Sequence, residues 1–334
     1  MKEAPSVEIA EPKRTRVDTI DGARALMVLM VITLHATPML LPGRMPAASP
    51  PIWAFVLATL CRCAVPFFFL ASGYFLNLDR TTREIALRSI KRLGPIYAFW
   101  LAIYAAIRFA FYNEVPELSV SFFLNGGAAF HLWFLPALFA GQVFVSFFVS
   151  RFGYRLAVLG AALLYFIGPI LYDYHDLFGL AYYWRIAPIY RHLGAPAFVL
   201  LGLMAHRFPE KGPLVGLFLV VTSFGLLVFE ELMLGISLGH PGRESHDFLL
   251  STLLYSTSVF LLLKSLASLS RIAWLGQMTL GIYAVHLAFI WLIRGWISTT
   301  TFPGEIAVVT LVSLGSTVLV LAMRRISFFS RFVA

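Results

Sequence analysis

Ten predominantly apolar stretches of roughly bilayer-spanning length constrain this chain more than anything else in it. Their centres fall near Met30, Ala64, Leu101, Ala140, Leu163, Leu201, Val221, Leu254, Ala284 and Leu314, some of the stretches being short or interrupted by Pro and Gly. A helix that crosses a bilayer takes about 20 mainly apolar residues. With 59% hydrophobic, 15% aromatic and only 13% charged residues in 334, the chain lies outside the range of soluble globular proteins. The pattern predicts an all-α, polytopic transmembrane helical bundle of about ten spans. Little is left for a soluble domain: the longest polar stretches are 1–19, the segment around 172–192, and 235–247. The chain divides into a cytoplasmic N-terminal segment (1–19), a transmembrane domain (20–325) and a cytoplasmic C-terminal tail (326–334).

Charge orients the bundle. With the N-terminus in the cytoplasm, eighteen of the 26 Lys and Arg residues fall in inner segments. Seven fall in outer loops or outer helix halves, namely Arg44, Arg62, Arg108, Arg185, Arg191, Arg243 and Arg294, and Arg24 sits near the inner end of the first span. That asymmetry is the positive-inside pattern and places both termini inside. The net charge of +9 therefore reflects cytoplasmic loops facing the lipid bilayer and calls for no nucleic-acid partner. Residues 20–49 also resemble a signal peptide, with PAAS after an apolar run, but the apolar run is too long for one and contains Arg24 and His35. Cys61 and Cys63 are two apart inside an apolar span, which argues against a disulfide or a metal site. No internal repeat is visible, which weighs against a repeat-built transporter.

Within this apolar background the polar residues carry the information. Arg24 and His35 are eleven residues apart in the first span, and eleven steps of about 100° come within roughly 20° of three full turns. Both side chains therefore leave one face, His35 roughly 16 Å deeper than Arg24. Ionisable groups at that depth face protein or water, so the pair marks a functional site. Asp21, three residues before Arg24, is placed to pair with the guanidinium.

Other candidates follow. Arg62 is either an outer-half charge that snorkels or a group lining a cavity, in a span that Pro66 and Gly73 make irregular. His131, in FHLWFLPALF, and His286, in LGIYAVHLAFIW, can approach the depth of His35, although a buried histidine is commonly a structural hydrogen-bonding group. Trp133 is an interfacial anchor or a neighbour of His131, and Tyr283 lies one turn before His286, placed to orient it. Arg88, Lys91 and Arg92 form a basic cluster before the third span, suited to phosphates and equally to topology. The remaining histidines, His175, His192, His206, His240 and His246, lie in or near loops and read as solvated or interfacial side chains.

The ordered set VDTIDGARALMVLMVITLH, VPFFFLASGYFL, RSIKRLGPIY, HLWFL, PAFVLLGLMAHR and LGQMTLGIYAVHLAFI resembles the acyltransferase-3 family of integral membrane acyltransferases. The match runs from Asp18 to about Arg325. It looks most like the branch holding the enterobacterial-common-antigen O-acetyltransferase and exopolysaccharide acetyl- or succinyltransferases. The family's basic cluster often has two arginines three apart before a proline; here the string is Arg88, Lys91, Arg92 and Pro95. No appended SGNH-type hydrolase domain is expected, so the membrane domain or a separate partner has to serve the acceptor.

The resemblance implies transfer of an acyl group, most simply acetyl from acetyl-CoA or another acyl-CoA, to a sugar hydroxyl of a surface polysaccharide or its lipid-linked precursor. It implies a bacterial inner membrane location, contact with a polysaccharide synthesis complex, and no metal. His35 then acts as general base or accepts the acyl group itself, and Arg24 holds the donor. Arg88, Lys91 and Arg92 become donor-binding residues. A glycan or lipid transporter or exporter, with Arg24 and His35 as a gating or proton-relay pair, fits the same residues, as does a non-catalytic scaffold.

Overall fold

A computed structural model describes residues 17–37, 51–115, 118–175, 177–180, 189–209, 212–237 and 246–333. Arg44, Arg185, Arg243, Lys211, His240, the PAAS run and the basic residues before 17 lie outside them. The described residues form helices with no strand: α1 (Asp18–Ala36), α2 (Ile52–Cys61), α3 (Ala64–Tyr74), α4 (Thr82–Tyr112), α5 (Val120–Leu124), α6 (Phe134–Tyr172), α7 (Tyr190–Met204), α8 (Pro213–Ser237), α9 (Leu250–Ser265), α10 (Ala273–Gly276), α11 (Thr279–Arg294), α12 (Phe302–Arg325) and α13 (Ser327–Ser330), with 3-10 turns at Phe130–Trp133 and Ala267–Ile272. The protein is an all-helical, multi-pass membrane bundle.

Among the described residues six helices are long and apolar enough to cross a membrane, or seven if the pair Leu250–Ser265 and Ala267–Gly276, bent by 81°, is one span. The hydropathy pattern predicts ten, and each of its ten centres does lie in a helix. The difference has a physical origin. Ala140 and Leu163 share α6, which breaks at Gly153, where φ is 78° and ψ 172°. The second half returns beside the first, since a Cβ on Gly160 would meet the Phe144 ring at 3.2 Å. Leu201 and Ala284 lie in helices of only 15 and 16 residues, α7 and α11.

Local chemistry fixes where the site-bearing helices begin and how closely they pack. Thr81 and Glu84 form a reciprocal capping box, Glu84 N–H donating to Thr81 Oγ1 at 3.3 Å and Thr81 N–H to Glu84 Oε2 at 2.9 Å, and this starts α4. The N-terminal part of α1 lies directly on the 267–276 segment. A Cβ on Gly276 would sit 2.0 Å from the Asp21 carbonyl oxygen, so only glycine permits the approach. The core between these elements is aromatic, with Phe67, Phe69, Phe198, Tyr104, Tyr165 and Tyr255 fully buried. Residues after α12 fold back: Trp100 Nε1 donates to the Phe332 carbonyl at 3.0 Å, and Phe99 stacks on Phe332.

Candidate active site

The three intramembrane histidines meet. α1 brings His35, the turn before α6 brings His131, and α11 brings His286, all at most 9% exposed. His35 and His286 stack with ring centroids 5.0 Å apart, and His131 stands edge-on to His286 at 4.9 Å and to His35 at 6.2 Å. Tyr104, from α4, supports the cluster by donating to the Ala284 carbonyl at 2.9 Å.

Hydrogen-bond roles assign the tautomers. His286 Nδ1 lies 2.6 Å from the Tyr283 carbonyl oxygen, which can only accept, so Nδ1 carries the proton. His286 Nε2 is then a bare acceptor, and His35 Nδ1–H donates to it at 2.8 Å. The chain of two bonds leaves the lone pair on His35 Nε2 available as a base. His131 Nε2 donates to the Ala284 carbonyl at 3.3 Å, and its Nδ1 is buried without a hydrogen-bond partner. Tyr283 thus orients His286 through its main-chain oxygen. Its hydroxyl donates to the His131 carbonyl instead.

Two cavities flank this cluster. The larger, about 540 Å³, is lined by Arg24, Arg80, Arg88, Arg92 and Arg324, with Ser72, Ser89, Gln142 and Gln277, and reaches Phe134 and Tyr283. α4 supplies one wall through Ile85, Arg88, Ser89, Arg92 and Leu93, the spacing of one helix face. Lys91 falls off that face and is exposed. Arg24 is held at the rim by an ion pair with buried Asp21 at 2.8 Å and lies 5.4 Å from the Phe75 ring centroid. Gln142 Nε2 donates to Ser72 Oγ at 2.6 Å while its carbonyl accepts from Ser89.

The smaller cavity, about 70 Å³, is lined by His35, Arg62, Phe130, Trp133, Arg191 and Asp247 among others. Arg62 is 4% exposed, so of its two readings the structure supports cavity lining. It pairs with Asp247 Oδ1 at 2.8 Å, while Arg191 and Tyr190 hold Oδ2, Tyr190 at 2.6 Å. Burial by itself would raise the Asp247 carboxyl, but Arg191 and Arg62 overcome it and hold it well below the usual carboxylate range. Trp133 is buried, with Arg191 5.4 Å from its ring centroid.

Of the candidates read from the sequence, Arg24, Arg88, Arg92 and Tyr283 line the larger cavity and His35, Arg62 and Trp133 the smaller, whereas Asp21 pairs with Arg24, His131 and His286 pack against His35, and Lys91 lines neither cavity. Arg80, Arg324, Gln142, Ser72, Arg191, Tyr190 and Asp247 were not legible as site residues. The first two stand out only as loop and helix-end cations, and Asp247 is one of two carboxylates at the edge of a polar loop. Among the described residues no group of three His, Cys, Asp or Glu side chains is arranged to hold a metal ion.

The sequence profile of a family described as an acyltransferase domain matches residues 17–325. The chain belongs to the acyltransferase-3 family. This acyltransferase-3 domain is also similar to proteins with other names. It is 27% identical over 295 residues to a serine/alanine racemase of Enterococcus gallinarum, covering 80% of this chain and 40% of that protein. It is 25% identical over 248 residues to an amino-acid racemase of Enterococcus faecalis, covering 66% of this chain and 34% of the relative. The chain thus spans at most about two fifths of the length of these relatives. No solved structure matches.

Proposed function

We propose that the protein is a membrane O-acyltransferase that moves an acyl group, most simply acetyl, from acyl-CoA to a sugar hydroxyl of a surface polysaccharide or its lipid-linked precursor. The observation that carries this reading is a hydrogen-bonded histidine base lining a small aromatic-walled cavity, with a large arginine-lined cavity reaching Tyr283, which packs against His131 and His286. Arg88, Arg92, Arg80, Arg324 and Arg24 suit the phosphates of a CoA donor, because guanidinium forks pair with phosphate oxygens. The cavity's extension to Tyr283 suits a pantetheine arm directed toward the histidines. Phe130 and Trp133 offer faces on which a sugar ring can stack.

In the proposed step the acceptor hydroxyl gives its proton to His35 Nε2 as its oxygen bonds to the thioester carbonyl carbon. The carbon–sulfur bond breaks, and the CoA thiolate takes the proton from His35 Nε2, which returns the imidazole to its neutral form. His286 Nε2, accepting from His35 Nδ1–H, stabilises the imidazolium that forms. The acceptor chemistry fits a bacterial inner-membrane enzyme working alongside a polysaccharide synthesis complex. Two of the three imidazoles are tied into one hydrogen-bonded chain, which suits deprotonation of a hydroxyl from one side.

The test is turnover. Purified protein given acetyl-CoA is expected to release free CoA slowly, faster with acceptor glycan, and His35→Ala is expected to abolish both transfer and acceptor-stimulated release. A glycan transporter releases no CoA, and unchanged acylation in His35→Ala removes the catalytic assignment.

A further inference from the structure

The end of α1 carries a second grip on the histidine. A helix leaves its last four carbonyls without intrahelical donors. In α1 the Thr33 carbonyl is met by Thr37 N–H at 3.0 Å, whereas the carbonyls of His35 and Ala36 are met by one side chain, Arg294 Nη2, at 2.7 and 2.8 Å. Arg294 closes α11, the same helix that carries His286. The two residues are eight apart, about 12 Å along the helix axis. α11 therefore holds residue 35 twice, by its ring through His286 and by its backbone through Arg294. A cation at a helix C-terminus also faces the negative end of the helix dipole.

A further group at this corner belongs with Arg294. Glu305, in the first turn of α12, is 1% exposed, has no hydrogen bond to either carboxylate oxygen, and interacts electrostatically with Arg294. A nearby acidic side chain offsets part of the cost of burying the guanidinium in an apolar setting. Arg294 Nε is buried and also unbonded, so the side chain's described hydrogen bonds all go to the α1 carbonyls.

We infer that Arg294 is a positioning residue for His35, fixing the register of α1 against α11 so that His35 Nδ1 meets His286 Nε2 and Nε2 faces the acceptor cavity. The inference rests on the acyl-transfer reading above. It accounts for a charged residue in the outer half of the bundle that the sequence offers only as a topological outlier.

The experiment compares Arg294→Gln, Arg294→Lys and His35→Ala with the wild-type protein in detergent, measuring kcat, KM for acetyl-CoA, acetyl-CoA affinity by calorimetry, and thermal midpoint. Arg294→Gln is expected to lower kcat roughly 10- to 100-fold, the scale of a misplaced reacting group, with donor affinity and KM unchanged. Arg294→Lys keeps a cation able to reach the carbonyls and is expected to restore most of the rate. An unchanged kcat in Arg294→Gln, with His35→Ala inactive, overturns the inference. So does a parallel loss of donor affinity and thermal midpoint that lysine does not restore, which assigns Arg294 to general stability. A wild-type protein with no transfer at all sinks the acyl-transfer reading, a different result from either.

Discussion

His35 presents a bare Nε2 because a main-chain carbonyl two hydrogen bonds away dictates which nitrogen of His286 is protonated. The substitution that tests this is at the middle of the chain. His286→Leu removes the acceptor for His35 Nδ1–H and is expected to lower kcat by roughly 100-fold, within the range of general-base effects. His286→Gln retains an amide oxygen that can accept, and is expected to keep measurably more activity than leucine. Equal activities in a steady-state assay would mean that the His35–His286 bond has no part in the chemistry. Asp173, just past the end of α6, makes a separate point about burial. Loss of hydration pushes its carboxyl up to about 8. Its proton is thus bound more tightly in the folded protein than in the unfolded chain, where the value is about 3.9, so stability falls as pH rises through that interval. Asp173→Asn is expected to flatten the decline in thermal midpoint up to about pH 8, and an unaltered slope in the variant would assign the decline to other groups.

At the scale of elements, the close crossing of α1 over the 267–276 segment and the capped start of α4 set where the larger cavity's arginines stand. Gly276→Ala puts a methyl 2.0 Å from the Asp21 carbonyl, and neither backbone can yield cheaply. The expected cost is about 1–3 kcal/mol, read as a lower thermal midpoint. Because Asp21 anchors Arg24, acetyl-CoA affinity is expected to fall with it; a variant that loses neither would show that this crossing is loose. Thr81→Ala removes one half of the α4 capping box and is expected to cost about 1 kcal/mol in the same measurement. Much of this level was legible beforehand. The ten apolar centres all fall in helices, and the Asp21–Arg24 pair follows from three-residue spacing alone. What spacing did not convey was length: α6 absorbs two expected segments through one glycine with positive φ, and α7 and α11 are shorter than a bilayer crossing.

Across the whole molecule, the proposed acyl transfer rests on two cavities with different chemistry, one lined by arginines and the other by His35. The larger predicts a graded response to charge removal. Arg88→Ala and Arg92→Ala are each expected to weaken acetyl-CoA binding roughly 10- to 100-fold, the value of a charge-assisted contact, while Lys91→Ala, which lies off the cavity face, leaves affinity unchanged. Calorimetry that finds all three alike would reduce the cluster to a topological signal. Hydropathy determined the class of this protein from sequence alone, because the cost of placing a side chain in lipid is a property of each residue and its near neighbours. Helical periodicity likewise put Arg24 and His35 on one face. Only the tertiary structure decided the partners: His35 bonds a residue 251 positions away, and Arg62 one 185 positions away. Arg294, expected from sequence as one more outer cation, reaches back 259 positions to the carbonyl of the same histidine. Such pairings depend on which helices pack side by side, and no local pattern of apolar and polar residues encodes that choice.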